Sequence, residues 1–295
     1  MRIGVVGTES SHVDQFLRLL NVEHRHGDAR VVALSGGDTE RNRALAAAAT
    51  TAGGTDAPRL VDAPGDLVGA VDAVLICTRD GRAHRSEAVP LIEAGLPVFV
   101  DKPLAGSAAD ATAIVAAARA HGVPLYEGSA LRFVPAVAEL ARAGRPVAVH
   151  VTGPADPAGP HGGLYFYGVH LAEAAFQLVG DGAAGPVDVR VGEASQPAAR
   201  SDASRSRISV VTALTGIGDV HVTLTFVAGR VPFHATVVHA GGVVARELAL
   251  PHDYTAPVLD RFLAVAAKGE PPSEGEAAAM VAPVALIDAV TARLG

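Results

Sequence analysis

Two positions in this chain combine a reactive side chain with neighbours that suit chemistry. Lys102 follows directly on the apolar run Val98–Val100 and lies between Asp101 and Pro103. A lysine at a strand end, held by a proline-fixed turn and partly desolvated, stabilises an alkoxide as a carbonyl is reduced. Asp101 is placed to orient Lys102 and hold its charge. A solvated loop lysine is the alternative. His170 opens a helical pattern whose apolar face is Val169, Ala172, Phe176 and Val179. His170, Glu173 and Gln177 share the adjoining face. An imidazole exchanges protons with a hydroxyl near neutral pH, and Glu173 is placed to orient it. A core or interface histidine is the alternative. Tyr165 and Tyr167 alternate just before that helix, either lining a substrate pocket or packing.

A third cluster, Thr78, Arg79, Asp80 and His84, follows the run Asp72–Cys77. One of these residues contacts a ligand, or the cluster caps a helix. Arg132, Tyr126 and Glu127 fall where two halves of the chain join, and an interdomain salt bridge is expected there. Twelve histidines invite a metal reading. Pairs such as His161/His170 and His234/His239 lack compact ligand spacing, and the single Cys77 excludes a Cys-based zinc site and an internal disulfide, so no metal is expected. No G-x-S-x-G elbow supports a hydrolase.

The elements that must position these residues alternate through the first half. β runs occur at Arg2–Val6, Val31–Leu34, Arg59–Val61, Asp72–Cys77, Val98–Val100 and Pro124–Tyr126. Helical patterns separate them, one opened by the capping box Ser107-Ala-Ala-Asp110 and closed by Gly122. This alternation predicts a doubly wound parallel sheet, whose ligands bind at the carboxyl ends of the strands. Beyond about residue 125 come a helix over Gly168–Val179, consecutive β runs, and two closing helices, Ala256–Ala267 and Glu274–Leu294. They predict an α+β domain with a largely antiparallel sheet. The polar run Ser195–Arg207 reads as a loop.

The turn after Arg2–Val6 is where a dinucleotide fingerprint G-x-G-x-x-G would sit, and this chain has Gly7, Glu9 and His12 there. The missing glycines matter because they admit backbone to the pyrophosphate and helix to strand. Glu9 also adds a negative charge. At ~4 Å, like charges cost about 4 kcal/mol at an effective dielectric near 20. Ser11 and Asp14 read as a second capping box. His12 either binds an anion or packs against the first strand. After Val31–Leu34, an acidic residue would meet the adenine ribose. Gly36 stands there, with Asp38 two residues on. Ser35, Arg41 and Arg43 point toward a 2′-phosphate, hence toward NADP over NAD. An ordinary doubly wound domain that has lost its dinucleotide site is the alternative.

Hydrophobic residues are 49% of 295 and charged residues 19%, so disorder is excluded for the bulk of the chain. The net charge is −7, without a basic block, which disfavours nucleic acid. No apolar run approaches a membrane span or a signal peptide. A soluble cytoplasmic protein is expected.

Four segments together resemble the glucose–fructose oxidoreductase / inositol dehydrogenase (Gfo/Idh/MocA) family. They are Ile76-Cys77-Thr78 with His84, Gly95-Leu96-Pro97-Val98-Phe99-Val100-Asp101-Lys102-Pro103, Leu131-Arg132-Phe133-Val134-Pro135, and Gly162-Gly163 through Gly168-Val169-His170. The resemblance implies a Rossmann-type domain over residues 1–124. Over 125–295 it implies an open-sheet domain through which copies usually oligomerise. It implies hydride transfer between NAD or NADP and a sugar- or polyol-like substrate, with Lys102 beside the nicotinamide and His170 as acid/base. The candidate cofactor residues are Gly7, Thr8, Ser10, Ser11, His12, Ser35, Asp38, Thr78, His84 and Asp101. The candidate substrate residues are Arg132, Tyr165, Tyr167 and Glu173. The chain departs from the family at Glu9, His12, Gly36 and Phe166, where the family often has the histidine's Asp partner. Those departures keep open a cofactor-poor lyase, isomerase or binding protein. A family glycosidase that uses bound NAD transiently is a third reading, which nothing in the sequence selects.

Overall fold

The computed structural model describes residues 1–50, 57–180, 185–197 and 207–294. The chain packs as two units, residues 1–128 with 255–280, and residues 129–254 with 281–295. The cut expected after residue 124 therefore falls after 128. Strand β6 pairs with the first sheet, and a late helix returns to it.

The first unit carries β1 (Arg2–Val6), α1 (Ser11–Leu17), β2 (Arg30–Ser35), α2 (Thr39–Thr50), β3 (Arg59–Val61), β4 (Ala73–Ile76), α3 (Gly81–Glu93), β5 (Val98–Val100), α4 (Ala108–His121) and β6 (Leu125–Glu127). All six strands are parallel, in the order β3-β2-β1-β4-β5-β6. Strands β4 and β5 are buried along their whole length. This explains why their sequences read as unbroken apolar runs rather than alternating ones. Ser107 caps α4 through the Asp110 amide, and left-handed Gly122 ends it, as their spacing predicts. Helix α7 (Ala256–Lys268) packs on β6. Its Phe262 meets Phe99 with ring centres 5.9 Å apart, and Phe16 meets Phe99 edge-on at 5.9 Å. With so few aromatics in the chain, this cluster concentrates much of the unit's large buried surface.

The second unit carries α5 (Pro135–Arg142), β7 (Pro146–Pro154), α6 (Leu164–Val179), β8 (Pro186–Pro197), β9 (Arg207–Ile217), β10 (Val220–Val227), β11 (His234–His239) and β12 (Gly242–Glu247). The sheet order is β12-β11-β7-β10-β9-β8, and only the β7–β10 pair is parallel. One face, with Val149, Val151, Val222, Leu224 and Phe226, packs under Leu164, Leu171, Ala175 and Leu178 of α6. Helix α8 (Glu274–Thr291) begins in the first unit, and its Leu286, Ile287 and Val290 join the second unit's core.

Three expectations change. Strand β7 and helix α5 join the elements read from sequence. Helix α6 starts at Leu164 rather than Gly168, so Tyr165 and Tyr167 are helical and do not alternate as in a strand. Of the expected loop Ser195–Arg207, residues 195–197 and 207 lie in paired strands. The remainder, 198–206, lies outside the described residues.

Truncating Phe99 to Ala is expected to cost about 3–5 kcal/mol, because it empties the aromatic cluster. Exposed Val68→Ala in the same unit is expected to stay within about 0.5 kcal/mol. Urea unfolding of both variants measures the difference.

Candidate functional site

At the carboxyl edge of the first sheet the chain makes a turn that only glycine permits. Gly7 has φ +76°, and a Cβ there would lie 2.4 Å from the Thr78 nitrogen and 2.5 Å from its Cα. Its N–H donates to the Ser35 carbonyl at 3.0 Å. Thr8 is buried, its hydroxyl against Asn42 Oδ1 and the Gly36 carbonyl. Asn42 Nδ2 donates to that same carbonyl at 2.7 Å. Gly36 and Gly37 are both left-handed, and a Cβ on Gly37 would meet Thr8 Oγ1 at 2.1 Å. Gly36 stands where an acidic residue was expected because its φ of +71° favours glycine; a Cβ there would meet only Gly7, 3.5 Å from its nitrogen.

The polar residues of these loops mostly serve the loops themselves. Ser10, not Ser11, caps α1, accepting from the His12 amide at 3.2 Å. Ser11 is exposed as the first helical residue. Asp14 is drawn away to Arg41, 2.6 Å from its guanidinium, so the expected Ser11–Asp14 box does not form. The same guanidinium donates to the Thr8 carbonyl at 2.6 Å and the Ser10 carbonyl at 3.3 Å. Arg41 is therefore a brace between loops, which removes its contribution to the NADP reading. Asp38 caps α2 through the Arg41 amide at 2.9 Å. Glu9, whose charge opposes a phosphate, accepts from the Arg79 amide at 2.9 Å and is pinned to the turn after β4.

Around β4 and β5 the side chains are buried and charged. Asp101 is 3% exposed. Its Oδ2 lies 2.8 Å from His12 Nδ1, and its Oδ1 accepts the Lys102 amide at 2.9 Å. Burial pushes the Asp101 carboxyl up, but His12 and Lys102 outweigh this and hold it below the usual carboxylate range. His12 thus occupies the third fingerprint position as the partner of a buried acid. Lys102 is 7% exposed, so the solvated-loop reading fails. The Lys102–Pro103 peptide is cis.

His84, expected at the cofactor, is wholly buried and acts as a clamp. Its ring nitrogens lie 2.8 Å from the Pro103 carbonyl and 2.7 Å from the Thr78 carbonyl, tying the β4 turn to the β5 turn. Thr78 Oγ1 donates to Glu87 Oε1 at 3.0 Å. Burial raises the Glu87 carboxyl despite that bond. Asp80 caps α3 through the Arg82 amide. Ser35 Oγ is buried with no hydrogen-bond partner among the described residues.

In the second unit His170 Nδ1 meets Ser129 Oγ. Ser129 is fully buried and caps a short 3₁₀ turn, Ala130–Phe133, accepting from the Leu131 amide at 3.1 Å. Its own N–H donates to Glu173 Oε2 at 2.5 Å. Glu173 is 1% exposed, with Arg132 at 3.7 Å. Ser129 therefore links Glu173 to His170. Ser129 escaped the sequence reading. Its one signal is a serine two residues before Leu131-Arg132-Phe133-Val134-Pro135, the spacing of a turn cap. Arg132 also donates to Gln177 Oε1 at 3.4 Å, so its ion pair lies within the second unit. Tyr165 donates to Asp288 of α8, and burial together with that carboxylate raises its hydroxyl. It packs the helix pair rather than presenting a hydroxyl. Tyr167 is 46% exposed, its ring 5.9 Å from that of His170. Among the described residues no group of three or more His, Cys, Asp or Glu could hold a metal, and no helix is long and apolar enough to cross a membrane.

Residues 1–129 match the model described as "Oxidoreductase family, NAD-binding Rossmann fold". A 159-residue stretch is 40% identical to Inositol 2-dehydrogenase 1 of Saccharopolyspora erythraea, covering 51% of this chain and 44% of that protein. This chain thus covers less than half the length of the curated relative. GenD2 from gentamicin A biosynthesis, solved in complex with NAD, superposes with TM-score 0.76 at 17% identity, over 100% of this chain and 94% of that one. UDP-N-acetylglucosamine 3-dehydrogenase GnnA from Acidithiobacillus ferrooxidans gives TM-score 0.73 at 22% identity, over 100% and 99%. At these identities the two structures share the fold. The turn fits a dinucleotide on its own geometry. Gly7 lets the turn close onto Thr78, Gly36 and Gly37 are exposed at the edge, Glu9 is tied aside, and Ser35 keeps a buried hydroxyl with no partner among the described residues.

Asp101 stabilises the fold while ionised, because its pKa is depressed. Its contribution is fully present above the unfolded value near 3.9 and is lost as pH falls through the lower folded value. Asp101→Asn is expected to cost about 3 kcal/mol at pH 7. In denaturant titrations the gap to wild type should close between pH 4 and pH 2; a constant gap contradicts the pairing.

Proposed function

We propose that this chain, whose residues 1–129 match the Gfo/Idh/MocA model, is an oxidoreductase of that family, and that it oxidises a ring hydroxyl of a small cyclitol or sugar with NAD as cofactor. Bound NAD supplies the hydride acceptor. The observation that carries the reading is the buried Asp101-Lys102-Pro103 turn, held by His12 on one side and His84 on the other. Gly7, Ser35 and the Gly36-Gly37 main chain would hold the dinucleotide, with Thr8 and Thr78 shaping the turn. The bracing of Arg41 favours NAD over NADP.

Lys102 offers ammonium donors from a nearly water-free position, where they act strongly on an oxygen losing its proton. His170 is assigned as the group that exchanges a proton with the substrate hydroxyl, its ring held by Ser129. Tyr167 lies on the exposed side of the same helix and is assigned to the substrate. The inositol dehydrogenase relative and its polyol class support the choice of substrate. The second unit's sheet face with Thr152, Thr223, Thr225 and Thr236 is assigned to contact with a second copy.

Calorimetry with NAD⁺ and NADP⁺ on the whole protein tests the cofactor, with NAD⁺ expected to bind more tightly. A spectrophotometric screen of myo-inositol and related polyols tests the reaction. Lys102→Ala and His170→Ala are each expected to lower kcat/KM by about 10²–10⁴. His170→Ala should leave the NAD⁺ dissociation constant within about threefold. No binding of either dinucleotide at millimolar concentration would favour the cofactor-poor lyase or binding-protein reading instead.

A further inference from the structure

We propose that Ser129 is a positioning residue for His170, and that its uncharged hydroxyl sets the protonation behaviour of that imidazole. The inference rests on the reading of His170 as the proton-exchanging group, but its physical content is independent of turnover.

Ser129 is fixed from both ends. Its N–H is spent on Glu173 Oε2 at 2.5 Å, and its Oγ accepts the Leu131 amide at 3.1 Å. Rotating the hydroxyl away from His170 Nδ1 would break the cap of the Ala130–Phe133 turn and strand a buried amide. The hydroxyl is thus held in one rotamer by main chain. With Nδ1 committed to Ser129, proton exchange falls to Nε2.

A hydroxyl differs from a carboxylate at this position in its charge. It accepts from a protonated Nδ1, which leaves Nε2 as the open nitrogen of the neutral ring, and it keeps accepting when the ring is charged. It carries no charge, so it does not favour imidazolium as an adjacent carboxylate would. The neighbours agree. Glu173, one turn along α6, directs its carboxylate to the Ser129 amide and to Arg132 at 3.7 Å. The rings against His170 are Tyr167 at 5.9 Å and Phe233 at 5.6 Å, both uncharged near neutrality. In the described contacts, Ser129 stands between the Glu173 carboxylate and the imidazole.

The test uses the full chain labelled with ¹⁵N-histidine, with His170→Gln assigning the resonance. Wild type is expected to show one dominant neutral tautomer of His170. Ser129→Ala should give a tautomer mixture and lower kcat on the order of tenfold to a hundredfold, with KM within about threefold. Ser129→Thr, which keeps the hydroxyl, should restore the wild-type tautomer. Ser129→Asp should raise the His170 titration midpoint by about one pH unit, a tenfold shift in proton affinity. A wild-type tautomer and midpoint in folded Ser129→Ala overturns the proposal. Should Ser129→Asp not fold, the Ala and Thr pair decides alone. Because the resonance is read without substrate or cofactor, a failure of this proposal is distinguishable from a failure of the oxidoreductase reading.

Discussion

A carboxylate buried to 3% exposure has to be matched by charge and hydrogen bonds, and in the first unit Asp101 is matched by His12 and by the Lys102 amide. This pairing ties the start of α1 to the end of β5 and determines where the Lys102 side chain departs from the sheet. It also accounts for the histidine at a fingerprint position where close packing alone would call for glycine. Next to it, Cys77 is sealed at the end of β4, and burial pushes its thiol well up, with Asp101 adding to the effect. That cysteine is a small apolar packing group and not a nucleophile.

Around this buried pair the strand-end turns are cross-braced through main-chain atoms. His84 joins the β4 and β5 turns, Arg41 joins the first loop to α2, and Gly7 and Gly37 let the loops touch. Side chains that look free to bind ligand in a linear reading are spent on this scaffolding. Gly36 and Gly37 stay exposed at the sheet edge, main chain that suits a ligand recognised through its phosphates and sugar hydroxyls.

The second unit solves a similar problem with uncharged parts. The imidazole of His170 is held by a serine whose own position is set by a turn cap and a buried glutamate. The charge of Glu173 faces Arg132 at 3.7 Å, and its Oε2 accepts the Ser129 amide, so the helix carrying His170 keeps a buried acid in its core. Tyr165 anchors the start of the same helix to Asp288 of α8.

The order of elements was legible because burial writes itself into residue type. Strands covered on both faces appear as unbroken Val, Ile and Leu runs, and the Ser107 and Gly122 caps mark α4 by local hydrogen bonding alone. The family resemblance was legible for a similar reason: its segments are short, contiguous turns such as Asp101-Lys102-Pro103. The partners of each polar side chain were not, since they lie far along the chain. His12 meets Asp101, Glu9 meets the Arg79 amide, and His170 meets Ser129 across 89, 70 and 41 residues. Only the tertiary structure decides whether such a residue binds a ligand or braces a loop. A hydrogen bond depends on distance and angle in space, and residue type and spacing carry that information only within a turn or two of chain.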